Sequence, residues 1–83
     1  MPEVLLEQRC WLPDGDCIEL HLARGARGLM YRLAYLREGD CLLRYEHGPA
    51  QPHARWLRGR SAPYAFRSVE QLRYDFERDL ESL

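Results

Sequence analysis

Residues 31–48 read YRLAYLREGDCLLRYEHG, two alternating runs either side of a Glu-Gly turn, and this string constrains the fold more than any other. Successive side chains of a strand point to opposite faces, so alternation of this kind marks a half-buried β-strand. A loop of Arg37, Glu38 and Gly39, with the glycine in the bulge position, sets Leu36 opposite Asp40. Tyr35 then meets Cys41, Leu33 meets Leu43 and Tyr31 meets Tyr45, which makes one wholly apolar or aromatic face. The other face pairs Ala34 with Leu42 and Arg32 with Arg44. A two-residue Glu38-Gly39 loop would oppose Leu33 to Arg44 and Tyr31 to Glu46, so the longer loop is preferred. Arg32 against Arg44 is a mild repulsion and calls for an acidic neighbour or an anionic ligand on that face.

A second hairpin precedes it. Leu12-Pro13-Asp14-Gly15-Asp16 has proline to preset φ, aspartate to tolerate the turn and glycine to supply φ > 0. A Pro13–Gly15 loop makes Leu12 face Asp16. Cys10 then pairs with Ile18, Gln8 with Leu20 and Leu6 with Leu22 on a mostly apolar face that also takes Val4 and Leu12. The opposite face pairs Trp11 with Cys17, Arg9 with Glu19 and Glu7 with His21; charges of opposite sign across the ladder support that register. Arg24-Gly25-Ala26-Arg27-Gly28 joins the hairpins as a solvated turn. Its glycines and arginines have the composition to hold a phosphate, but no Gly-Lys-Ser/Thr follows to make a P-loop.

Beyond Glu46 the alternation stops. His47 to Pro52 contains two prolines, each lacking an N–H donor, and is not expected to be a central strand. Arg55-Trp56-Leu57-Arg58 is expected as a short edge strand, and residues 59–67 as extended or irregular chain. At the C-terminus Ser68 and Gln71 form a capping box. Val69, Leu72, Phe76, Leu80 and Leu83 recur at helical spacing, a stripe suited to packing on a sheet. Glu70, Asp75, Arg78, Asp79 and Glu81 take the remaining positions, and the acidic last turn opposes the helix dipole, so fraying is expected there.

Eighty-three residues make one domain, with a thin core at that length. The three cysteines, Cys10, Cys17 and Cys41, are an odd number without a CxxC, and no signal peptide is evident. Reduced thiols in a cytoplasmic protein are the expectation. No apolar run reaches the roughly 20 residues of a membrane helix. Net charge is −1, which argues against a whole-chain polyanion binder, yet all 12 basic residues are arginine, the side chain that forks onto carboxylate and phosphate.

Candidate chemistry concentrates in residues 47–60. His47 and His53 flank the proline loop, and imidazoles exchange protons near neutral pH. Without an HxH or HExxH pattern they carry no metal motif, and neither metal nor cofactor is expected. In extended chain His53 and Arg55 share a side, where they could serve as general base and phosphate clamp in RNA cleavage. A polar, exposed loop is the alternative. Arg55, Arg58 and Arg60 interleave with Trp56, and Tyr64 lies close, a composition suited to single-stranded nucleic acid. The same arginines could instead pair with the acids of the C-terminal helix, and the residue types leave both readings open.

From Gly28 onward the chain resembles the TumE-like family of toxins from bacterial toxin–antitoxin pairs, over roughly residues 28–80. The pieces are Tyr31-Arg32-Leu33-Ala34-Tyr35, Leu43-Arg44-Tyr45-Glu46, a His-bearing loop, Pro63-Tyr64-Ala65-Phe66 and Ser68-Val69-Glu70. The resemblance implies a cognate antitoxin, itself a small DNA-binding protein. Family members often carry HHxH or DHxH followed by Leu after the second hairpin. Here His53-Ala54-Arg55-Trp56-Leu57 stands at that place, and only His53 matches.

The expected fold is thus α+β, an antiparallel meander of four to five strands with one C-terminal helix packed on one face. Open edges and aromatic faces suggest a homodimer. The expected function is that of a toxin-like protein acting on RNA. His53, Arg55 and Arg58 would be its working residues and His47 an accessory. Arg55, Trp56, Arg58, Arg60 and Tyr64 would bind nucleic acid. A non-catalytic interaction or RNA-binding module is the alternative.

Overall fold

A computed structural model describes residues 3–83. Six strands run β1 (Glu3–Trp11), β2 (Cys17–Gly25), β3 (Gly28–Arg37), β4 (Asp40–Gly48), β5 (Gln51–Leu57) and β6 (Arg60–Pro63), followed by α1 (Val69–Glu81). The strands form a single antiparallel sheet in chain order, a meander, with the helix on one face. The class matches expectation, and the strand count is six rather than four to five.

The extra strand comes from a short turn and makes β5 an inner strand rather than the expected edge. Arg58 (φ 47°) and Gly59 (φ 87°) both take the left-handed conformation of a two-residue hairpin turn, which pairs Leu57 with Arg60 and creates β6. Its four residues are all exposed, so no hydrophobic alternation announces it. At the other end β4 continues through His47 to Gly48, and β5 starts at Gln51. Pro49 falls in the turn. Pro52 lies before Ala54, where pairing with β6 begins, so its missing N–H interrupts no ladder on that side.

The first hairpin has the expected register throughout Leu6–Trp11, including Arg9 opposite Glu19 and Glu7 opposite His21. The second does not. Its turn is the two-residue Glu38-Gly39, with φ 52° and 86°, and Arg37 faces Asp40. Leu42 is then an extra residue: Leu36 faces Cys41 while Tyr35 faces Leu43. This bulge shifts the ladder by one more residue and restores the apolar face that the short turn alone would have broken. The bulged Leu42 carbonyl accepts the Arg58 N–H at 3.0 Å, which ties it to the neighbouring turn. Leu33 therefore meets Tyr45, and Tyr31 meets His47. Arg32 lies opposite Glu46, not Arg44, so the expected repulsion is absent.

The buried face is the one read from the sequence. Tyr31, Leu33, Tyr35, Leu43 and Tyr45 join Leu22 from β2 and Leu72 and Phe76 from the helix in one core. Burying each such side chain stabilises by about 1.5–3 kcal/mol. Ser68 caps the helix by accepting the Gln71 N–H at 3.1 Å. Asp75 and Asp79, expected on the outer face, are buried against the sheet instead. At the helix end Ser82 donates to the carbonyls of Arg78 and Asp79, which closes the turn where fraying was expected.

Candidate functional site

The sheet gathers chemistry at the end where β3 begins and β4 passes into β5. Tyr31 is directly opposite His47 in the β3–β4 ladder. The β4–β5 pairing slips by one residue between Glu46 and Gly48, so His47 faces the stretch Pro52-His53. The slip brings the two imidazoles face to face, with ring centres 3.7 Å apart and planes 11° from parallel. On the far side of His53 lies Phe66, at 5.0 Å and 7°. Two backbone bonds fold that connecting segment back over β5: Tyr64 N–H to the His53 carbonyl and Phe66 N–H to the Tyr64 carbonyl, each 3.1 Å. His53 is thus sandwiched between a phenyl ring and a second imidazole.

Tyr31 completes the cluster. Its hydroxyl lies 2.8 Å from Nδ1 of His53. Burial raises the Tyr31 pKa well above the usual phenol range, with Tyr45 adding to it, so the phenol keeps its proton. The direction of this bond goes with the His53 tautomer: where the phenol donates, Nδ1 accepts and the ring hydrogen sits on Nε2. Desolvation, reinforced by His47, lowers the His53 pKa and favours the neutral ring. Nδ1 of His47 is buried and has no hydrogen-bond partner among the described residues. Beside His47 opens a groove of about 420 Å³ whose other walls include Gly25, Arg27, Gly28, Met30 and Pro49. The Gly25–Gly28 turn is therefore solvated, as expected, but it also forms one bank of this groove.

The arginines go elsewhere. Arg55 shares the helix side of β5 with His53, but its Nε donates to Asp79 at 2.7 Å and to the Tyr45 hydroxyl at 3.1 Å. That hydrogen bond raises the Arg55 pKa. Burial alone would raise the Asp79 carboxyl, yet the bonds from Arg55 and Tyr45 outweigh it and hold Asp79 below the ordinary range. Tyr45 donates to Asp79 at 2.5 Å, and burial with this bond pushes its pKa up to about 12. Tyr64 donates to Asp75 at 2.6 Å. Trp56 faces the opposite side of the sheet, under the guanidinium of Arg44 at 5.0 Å. Arg58 and Arg60 are exposed at the far end of β5, and at about 3.3 Å per residue Arg58 stands about 16 Å along the chain from His53.

The structure thus brings His47 and His53 together and leaves Arg58 and Arg60 apart from them. Tyr31, expected as scaffold, and Phe66 join the two histidines. One sign was available for Tyr31: a tyrosine in a buried apolar row needs a partner for its hydroxyl. Among the described residues no three His, Cys, Asp or Glu side chains converge to hold a metal. No described helix is long and apolar enough to cross a membrane. Compared with known proteins, the chain matches no family model, no curated protein and no solved structure at a significant level.

Proposed function

We propose that this chain is the toxin-like component of a bacterial toxin–antitoxin pair and that it acts on RNA through His53, His47 and Tyr31. The observation that carries the reading is the stacked imidazole pair, fixed by a phenol and bordered by a groove with Arg27 on its rim. RNA supplies its own nucleophile. His47 takes the proton of a 2′-hydroxyl as that oxygen bonds to phosphorus and the bond to the 5′ oxygen breaks. The leaving oxygen takes a proton from solvent. His53, with hydrogen on Nε2, donates to a phosphate oxygen, and Arg27 has the fork to hold the next phosphate. Arg55 serves the fold through Asp79, and Arg58 lies outside this arrangement. A cognate DNA-binding antitoxin is the partner that the family resemblance implies.

The test is cleavage of end-labelled RNA by the purified chain. His53→Gln and His47→Gln should each lower the rate by about a hundredfold or more. RNA with a single 2′-deoxy position should resist at that position. Cleavage that persists unchanged in both variants would sink the reading. A second reading, RNA binding without cleavage, is favoured by Arg44 stacked over Trp56 on the opposite face. It would show as binding lost in Trp56→Ala with no product formed by any variant.

A further inference from the structure

β1 is the outer strand of the sheet, with β2 on one side and no neighbour on the other among the described residues. Eight of its nine side chains are exposed. Val4 (54% exposed), Leu5 (42%) and Trp11 (68%) all lie on it, and among the described residues only one other large hydrophobic residue, Tyr74, is as open. Neither proline nor lysine interrupts Glu3–Trp11. A long exposed edge with unpaired backbone groups and neither proline nor lysine is a template for another strand, and its charges select which strand can pair.

The outward backbone groups follow from the turn. Leu12 N–H donates to the Asp16 carbonyl at 2.8 Å, so these two form a hydrogen-bonded pair. Bonded and non-bonded pairs alternate along an antiparallel ladder. Trp11, Arg9 and Glu7, opposite Cys17, Glu19 and His21, are non-bonded positions, and their N–H and C=O groups point away from β2. A second strand can bond only to these.

If the second strand is another copy of β1, lying antiparallel, outward residues must face outward residues. A twofold axis at Glu7 would set that carboxylate against itself, and one at Arg9 would do the same to the guanidinium. An axis at Gln8 sets Glu7 of each copy opposite Arg9 of the other. On the helix side it sets Leu6 opposite Cys10. Beyond these, Trp11 meets Leu5, at the bulge that interrupts β1 between Val4 and Leu6. Charge meets opposite charge and apolar meets apolar, the pairs that stabilise a sheet. Glu7 has no ion-pair partner among the described residues, while Arg9 already holds Glu19 at 2.9 Å and has a guanidinium edge to spare. A groove of about 230 Å³ lined by Cys10, Ile18, Leu20 and Phe76 runs along the same seam, where Leu6 of a second copy would close it.

We propose that two copies of this chain join edge to edge through β1, antiparallel about a twofold axis at Gln8, in one continuous sheet. The RNA reading is independent of this interface, since β2 and β3 separate β1 from the strands that carry His47 and His53. Sedimentation equilibrium of the full chain, across micromolar to millimolar concentration, is the measurement. The 9.8 kDa chain should sediment as a dimer. Glu7→Arg or Arg9→Glu alone should weaken dimerisation at least about tenfold. Mixing these two variants should restore association, as should combining both changes in one chain. Glu7→Pro should abolish the dimer and keep the native circular dichroism, because that N–H makes no ladder bond within one copy. A chain that stays monomeric overturns the proposal. So does a dimer indifferent to the single reversals, or reversed variants that do not recover on mixing.

Discussion

Arg55 on β5 and Asp79 on the helix, 24 residues apart, meet at 2.7 Å, and the Tyr45 hydroxyl joins them from the middle of the sheet. This triad is the polar clasp between helix and sheet. Both charges have left much of their water, so removing one partner strands the other. Asp79→Ala should cost about 1–3 kcal/mol, because it leaves the Tyr45 hydroxyl and the guanidinium unpaired. Urea midpoints of the two proteins at neutral pH measure it.

The same clasp sets an acid limit. Asp79 has its pKa lowered on folding, so the folded state binds this proton less readily than the unfolded chain does. Its contribution is full above the unfolded pKa of about 4 and disappears as pH falls through the lower folded value. Between pH 5 and pH 3 the wild-type urea midpoint should therefore fall more than that of Asp79→Asn. Parallel falls in the two proteins would deny Asp79 this role.

How the sequence relates to this architecture differs from element to element. From Leu6 to Trp11 the first hairpin was legible to the residue because Pro13-Asp14-Gly15 fixes the loop and the Arg9–Glu19 and Glu7–His21 pairs check the register; the bulge that sets Val4 against Ala23, off the expected apolar face, was not. The second was legible as a face but not as a ladder. A bulge at Leu42 has no signature of its own, and it forms because it rescues an apolar face that the tight Glu38-Gly39 turn would have lost. Asp75 and Asp79 read as solvent-facing because helical periodicity counts hydrophobic letters. Their partners Tyr64 and Arg55 lie in segments whose approach to the helix is a tertiary fact. The histidine pair was half legible: both residues stood out, but their stacking depends on the slip between β4 and β5.

The tight turns carry a correctable cost. Glu38 and Arg58 each hold a left-handed conformation (φ 52° and 47°) that disfavours side chains with a bulky Cβ substituent. Asparagine tolerates it and is favoured in two-residue hairpins of this type before glycine. Glu38→Asn and Arg58→Asn should each stabilise the fold by about 0.5–1 kcal/mol. Thermal midpoints check this, and Arg58→Asn should leave RNA cleavage within about twofold, since that residue sits away from the histidines.

Tyr31 separates scaffold from site most cleanly. Its ring fills the core and its hydroxyl holds Nδ1 of His53. Tyr31→Phe keeps the ring and removes the hydrogen bond, for a stability cost of about 1 kcal/mol. It should reduce RNA cleavage far more than that cost implies, because His53 would lose the contact that orients its ring.

His53 gives the cluster a pH signature of its own. Its pKa is lowered on folding, by burial between Phe66 and His47 and by the neighbouring imidazole. The unfolded chain thus binds this proton more readily than the folded one. Stability is full above the unfolded value of about 6.5 and is lost as pH falls from there toward the lower folded value. The wild-type urea midpoint should decline between pH 7.5 and pH 5.5, well above the range in which Asp79 acts. In His53→Phe, which keeps the stack and removes the titrating nitrogen, that decline should be smaller. An unchanged decline would mean that the ring is not desolvated in solution, and the sandwich that organises the site would fall with it.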